Sequence, residues 1–498
     1  MASQAISPDD AGASAPPAES ETSRIEQETA LNEEPSLTDH SRLGLRRGAH
    51  LVLTLVALLI GETIGASGDT AALFRPLVLA ISLFLVPIFW SRRADPFELG
   101  SFNGLSGAIA LASTLVMIVR TDGIDLAFVP QMSPRAQTEL VELVAWSYVA
   151  GQASYLVGYY WPRRARSGVS RLTGIAWSSP RLLLACLGCL AIALPVYIWF
   201  QGRLGTDLTD FSELARGKAV VRDDPNATWI LRGMSLGFIP AMFALVVSLE
   251  KGRRAWILAS IAMIAVFGLL VVRAGQRGLV VIFFVGCAAC FHYMRRRIPW
   301  AILLAAAFAS LVASNIAGQY RAQEAEKVEM VPIKERLSVS RQLEEHAADR
   351  QRLSALALVF YYFPEKKGYL YGESWAALLT WPIPKWVWAD KTGSFIWRDS
   401  AIVFNFTGAS VPTPFLGVLF ANFSWFGVVL GMMGWGAFQR RVYQWMLASR
   451  GDKNVVMVYA STLFVSAPTT LPLSLLTQFA LPVLGVILFA GYRPRGLR

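Results

Sequence analysis

Charge is scarce in this chain. Of its 498 residues, 16% are Asp, Glu, Lys or Arg and 54% are hydrophobic, with a mean hydropathy of +0.43. Soluble globular chains carry about 25% charged residues, so a soluble class is excluded at the outset. Histidine and cysteine are also few, four of each, which confines metal and redox chemistry to a handful of positions. D-x-D spacing is missing as well: the acidic pairs Asp122/Asp125, Asp207/Asp210 and Asp223/Asp224 do not have it, and Asp69 stands alone. A metal-dependent lipid-phosphosugar transferase needs a carboxylate set of that kind, whereas solvated loop carboxylates need no special spacing. No internal repeat divides the sequence, against the two-half construction common in transporters. Residues 1–40 lack a basic stretch followed by an apolar run, so they do not form a signal peptide. Rich in Ser, Ala, Pro and Glu, with Arg24 as their one basic residue, they cannot bury a core. Residues 1–47 are therefore expected to be a disordered cytoplasmic tail, and 48–498 a polytopic membrane domain.

What the chain has in abundance is apolar blocks of about 16–25 residues, the length a helix needs to cross a bilayer. They fall near 49–66, 71–90, 102–119, 139–161, 180–200, 228–249, 255–272, 278–294, 299–317, 411–438, 454–467 and 472–491. The expected fold is all-α, with about twelve transmembrane helices; Pro468 and Pro472 interrupt the last two blocks. Basic clusters such as Arg46/Arg47, Arg92/Arg93, Lys251/Arg253/Arg254, Arg295/Arg296/Arg297 and Arg440/Arg441 all fall on one side of that arrangement. By the positive-inside rule this side is cytoplasmic, both termini included, and residues 318–410 form one large outer loop. These clusters account for much of the net charge of +11, so the charge calls for the lipid bilayer and for no nucleic-acid partner.

Two C-x-x-C pairs, Cys186/Cys189 and Cys287/Cys290, would suggest zinc or a redox dithiol in a soluble chain. Inside apolar spans, where thiolates are costly, they read instead as small packing residues on one helix face.

The candidate chemistry lies outside. Arg277 precedes Gly278 at the start of a span whose N-terminus points outward, where free N–H groups and the helix dipole favour an anion. A guanidinium there suits a diphosphate, although an interfacial arginine reaching lipid headgroups would look the same. Pro412 and Pro414 open a second span in the same sense. Within the loop, 332–363 is expected to be an amphipathic helix on which Leu343, His346, Arg350 and Leu353 share a stripe. Beside a guanidinium, His346 would be neutral near pH 7, as a general base requires. His40 is in the tail, and His50 and His292 lie at cytoplasmic span ends, which leaves His346 as the histidine placed for outside chemistry. Tyr369, Tyr371, Trp375, Trp386, Trp388 and their neighbours crowd the later loop, where rings stack on sugars or simply anchor at an interface.

Several stretches, in this order, resemble the bacterial oligosaccharide repeat-unit polymerases of the Wzy type. They are R-A-G-Q-R-G (273–278), G-Y-L-Y-G-E-S-W (368–375), P-I-P-K-W-V-W-A-D-K (382–391) and V-P-T-P with F-A-N-F-S-W-F-G (411–427). Departures from the family's pattern are Lys385 for an arginine, Thr392 for a proline, Leu419-Phe420 near an E-x-Y step and Ser424 for a glycine. About a third of the chain carries the likeness. It implies a metal-independent glycosyltransferase in the bacterial inner membrane, with no cofactor. Its substrates would be undecaprenyl-diphosphate-linked oligosaccharides joined at the periplasmic face for a surface polysaccharide, and a chain-length regulator is an open further partner. Under that resemblance the expected roles are His346 as base, with Glu373, Glu365 and Asp399 as alternatives. Arg277 and Arg350, with Arg321 and Lys391 as second choices, would bind the diphosphate, Tyr371 and Trp386 the sugar, and Lys385 the substrate. A ligase of the O-antigen type and a twelve-span flippase without chemistry stay open as alternatives. Few charges lie deep in the spans, Glu62 and Glu142 being the exceptions, which favours the enzyme.

Overall fold

The computed structural model describes residues 37–65, 71–91, 95–121, 132–161, 170–204, 233–252, 254–273, 277–306, 309, 352–380, 388, 414–449, 451–463 and 479–492. Among them helix is the regular structure and no strand occurs. The elements are α1 (Leu37–Gly65), α2 (Ala71–Trp90), α3 (Leu99–Thr121), α4 (Pro134–Tyr160), α5 (Ser179–Leu204), α6 (Phe238–Lys251) and α7 (Arg254–Arg273). They continue with α8 (Arg277–Met294), α9 (Arg352–Tyr362), α10 (Glu373–Thr380), α11 (Phe415–Ala448), α12 (Lys453–Thr462) and α13 (Leu481–Gly491). α1 begins at Leu37, so the last part of the expected tail, 37–47, is helical.

Six helices among the described residues are long and apolar enough to cross a membrane: those at Leu43–Gly61, Ala72–Trp90, Leu99–Val116, Ser179–Phe200, Gly233–Lys251 and Phe415–Ala448. The chain is a membrane protein on that ground. Stretches in α7, α8 and α13 are apolar but shorter. The block expected over 139–161 is helical as far as Tyr160, yet α4 carries Glu139, Glu142, Gln152 and four tyrosines and is more polar than a lipid-facing span. Polar character here goes with burial, because Ser147, Gln152, Tyr155 and Tyr159 are all buried.

α4 packs along α11 at unusually close range. A β-carbon at Gly158 would overlap the Met433 carbonyl, and one at Gly436 would overlap the Tyr155 carbonyl. Small residues allow such approach between helices in lipid, where packing and hydrogen bonds replace the hydrophobic effect as glue. A polar seam follows the contact. Asn103 Nδ2 donates to Gln439 Oε1 (2.9 Å) and the Tyr155 hydroxyl donates to the same oxygen (2.5 Å).

Two core clusters lie at opposite ends of α3. One joins Leu111, Ile118, Leu140 and Val144 to Leu356, Val359 and Phe360 of α9 and to Leu416 and Phe420. The other gathers Phe97, Phe238, Phe243, Phe283, Val455 and Tyr459 around the far end. Cys287 and Cys290 are buried in that second cluster, Cys186 and Cys189 pack against it, and all four thiols are free. The far end also holds Arg46, Arg295 and Arg440, three of the arginines grouped by the sequence.

α11 is not the straight span expected over 411–438. Phe423 (φ −138°, ψ 19°) and Ser424 (φ 56°, ψ −150°) break it into arms 415–422 and 425–448. Phe415 and Trp435, twenty positions apart, would be separated by about 30 Å in a continuous helix. Their rings lie 5.3 Å apart. A β-carbon at Gly431 would meet the Leu419 side chain, so the first arm folds back along the second. The result is a hairpin whose tip is at residues 423–424. Pro414 therefore opens a helix whose N-terminus points toward the middle of the bundle, about 12 Å from the tip, and not outward as its proline suggested.

Candidate functional site

The hairpin tip is covered by a strap, residues 369–372, that leads into α10. A helix leaves its last carbonyls without intrahelical donors. Here the strap supplies them. The Leu370 N–H donates to the Ala421 carbonyl (2.9 Å) and the Tyr371 N–H to the Asn422 carbonyl (3.0 Å). Asn422, fully buried, pins the junction through its side chain. Its Oδ1 accepts from the Gly372 N–H (3.1 Å), and its Nδ2 donates to Ser374 Oγ (2.6 Å) and to the Val418 carbonyl (2.7 Å). Beneath the strap Phe360 stacks on Phe420 at 3.8 Å, with Trp425 and Tyr369 edge-on to Phe420.

Strain concentrates at this junction. Tyr371 (φ 43°) and Ser424 (φ 56°) are the non-glycine residues with positive φ among those described. Each such conformation costs about 1–3 kcal/mol and persists where the surroundings over-determine it, which is commonly at functional sites. Gly372, at φ 95°, takes a conformation that only glycine adopts freely. Exposed rings surround the strained pair: Tyr371 is 78% exposed, Phe426 79% and Phe423 43%. The Glu373 carboxylate is exposed in the first turn of α10, one residue beyond Gly372.

Of the sequence-expected site residues, the junction brings Tyr371 and Glu373 together. Arg277 is the first residue of α8, and that helix runs about 27 Å to Met294 at the far end. Its backbone therefore starts at the same end of the bundle as the strap. His346, Arg321, Arg350, Lys385, Trp386, Lys391 and Asp399 lie outside the described residues. Of the amphipathic helix expected over 332–363, the described part is α9. Its Leu353 is buried in a core cluster that includes residues of α4.

Three features escaped the sequence reading. Asn422 and Ser374 were legible only as parts of motifs, since pinning a strap depends on contacts across 48 residues. The indole N–H groups of Trp375 and Trp435, both flanking Phe415, are buried without a hydrogen-bond partner.

The third is a carboxylate network at the opposite end. Glu98 Oε1 accepts from the Tyr159 hydroxyl (2.7 Å) and from Arg440 Nη1 (2.9 Å), and its Oε2 accepts from Ser91 Oγ (2.9 Å). Asp95 Oδ2 accepts from the Tyr293 (2.9 Å) and Tyr443 (2.7 Å) hydroxyls. His292 Nε2 stands 3.5 Å from Asp95 Oδ1. Burial pushes the Glu98 carboxyl above its ordinary range, against the opposing pull of Tyr159, Arg440 and Ser91. With every oxygen partnered, this network ties α3, α4, α8 and α11 together and offers no open position to a substrate. A carboxylate pair beside an arginine-rich span end was its only signal in the sequence.

No described group of His, Cys, Asp and Glu side chains is arranged to hold a metal ion. No family model matches the chain, and neither the curated proteins nor the solved structures give a match.

Proposed function

We propose that the protein is a polymerase of the bacterial inner membrane that joins undecaprenyl-diphosphate-linked oligosaccharide units at the periplasmic face. The observation that carries this reading is the strap–hairpin junction, with strained backbone, exposed aromatic rings and a carboxylate beside one another at one end of an apolar bundle. Rings offer stacking surfaces to sugars, and a carboxylate can take the proton from an acceptor hydroxyl. Arg277, at a helix N-terminus on the same end, would meet the diphosphate. The family resemblance in the sequence falls on these same segments. His346, Arg321, Arg350, Lys385, Lys391 and Trp386 complete the proposed site. Glycan transfer to another acceptor, by a ligase, uses the same groups and differs only in the acceptor.

Purified protein in detergent, given lipid-linked repeat units, should produce a ladder of longer chains. Glu373→Gln and Tyr371→Ala should each lower the rate by about 10²-fold or less, since alternative bases and further rings are at hand. Movement of intact units across proteoliposome membranes, with no extension, would identify a flippase and end the enzymatic reading.

A further inference from the structure

A crevice opens halfway along the bundle, between α2, α3, α4 and both arms of α11. It is narrow: about 540 Å³ lies there outside the atoms, but that figure includes the gaps between side chains and the open space at the mouth. Phe84, Leu111, Leu416 and Met432 make its walls apolar. Pro414 lies at its edge, so the N-terminus of the first arm opens onto it. The Val418 N–H is the first in that arm to reach a carbonyl, that of Pro414 (3.2 Å). Phe415, Leu416 and Gly417 consequently have N–H groups with no intrahelical acceptor.

A second observation is independent of the helix. Gln152 lines the crevice at 3% exposure, and its carboxamide makes no hydrogen bond among the described residues. Thr114, also on the wall, spends its hydroxyl proton on the Ala110 carbonyl (3.0 Å). A carboxamide and a helix N-terminus at apolar depth need a partner that water in bulk does not supply. The described lining residues include no Lys or Arg, which disfavours a diphosphate. Free N–H groups beside an amide suit a single oxygen head, and the walls suit a slender chain.

We propose that this crevice binds a single-chain lipid ending in a hydroxyl or carboxyl group, with the head oxygen between Gln152 and the N-terminus of the first arm. An isoprenol and a fatty acid share that chemistry. The inference stands on the crevice's own lining and does not rest on the polymerase reading.

The test uses the full chain purified in detergent and two photoactivatable probes of similar length, a diazirine-tagged isoprenol and a diazirine-tagged fatty acid. Cross-linked peptides are mapped by mass spectrometry. Label should fall on segments 148–152 and 416–432, and the probe that labels more strongly identifies the source. Gln152→Leu should weaken the labelling about fivefold or more. Ala110→Trp, which fills the crevice from a half-buried position, should abolish it. An isoprenyl diphosphate should compete at least tenfold less well than the isoprenol. Label confined to lipid-facing helices such as α5 would overturn the proposal, and so would crevice labelling indifferent to both substitutions. The wild-type map decides even if a variant fails to fold. Chain extension is measured on the same preparation: extension without crevice labelling refutes the lipid site alone, and labelling without extension refutes the polymerase alone.

Discussion

Ser424 is held at φ 56°, ψ −150°, a region that suits glycine and strains any residue with a β-carbon. Ser424→Gly should stabilise the fold by about 1 kcal/mol, read as a raised unfolding temperature in detergent. Arg277 carries a different expectation. Arg277→Ala should abolish chain extension, and Arg277→Lys should restore only a small part, because a point charge does not replace a planar fork of donors. Membrane levels should stay near normal, and cells should accumulate single-unit product. A normal ladder of chain lengths in the alanine variant would make the residue a lipid anchor. At this scale the sequence was partly readable. Rings and charges in the motifs could be picked out by type, but the strain at Tyr371 and Ser424 and the pinning by Asn422 arise from contacts that no local pattern encodes.

Helices were legible wherever a run of apolar residues was long, because lipid and core alike reward that composition. Their shapes were less so. The reversal inside α11 depends on Leu419 meeting Gly427 and Gly431, and on a strap from fifty residues upstream capping the first arm. Nothing in the periodicity of 411–438 distinguishes that hairpin from a straight span. The α4–α11 contact gives a direct test of the packing. Gly158→Ala puts a β-carbon against the Met433 carbonyl and should cost about 1–3 kcal/mol, lowering the unfolding temperature. Gly188→Ala in α5, where nothing lies within 4 Å, should be neutral or slightly stabilising. The far-end network predicts a pH effect. Glu98 binds its proton more tightly folded than unfolded, so its contribution is most favourable below the ordinary glutamate range near 4.5. That contribution declines as the pH rises toward the folded value. In Glu98→Gln the unfolding temperature should change less than in the parent protein as the pH rises above the ordinary glutamate range.

For the whole molecule, the arrangement of arginines ties architecture to orientation. Arg46, Arg295 and Arg440 gather at the end opposite the strap, and a positive-inside bias would make that end cytoplasmic. Leu370 is buried, but a cysteine placed at its exposed neighbour, residue 371, should then react with an impermeant thiol reagent in intact spheroplasts, while one at residue 168 should be protected. The reverse pattern would put the strap in the cytoplasm and remove the proposed site from its substrate. Chain extension should also survive EDTA; loss on chelation, with recovery on adding magnesium or manganese, would favour a metal-dependent transferase.

The way the strap is fastened has an evolutionary consequence. Leu370 and Tyr371 are attached to the hairpin tip through main-chain N–H groups, and the carboxamide that holds the next residue's N–H, that of Asn422, belongs to the hairpin. Replacement of Tyr371 by another aromatic would thus leave the attachment intact while altering what the exposed ring can grip. A site built this way can be retuned for a new glycan by single substitutions, without first passing through an unstable intermediate.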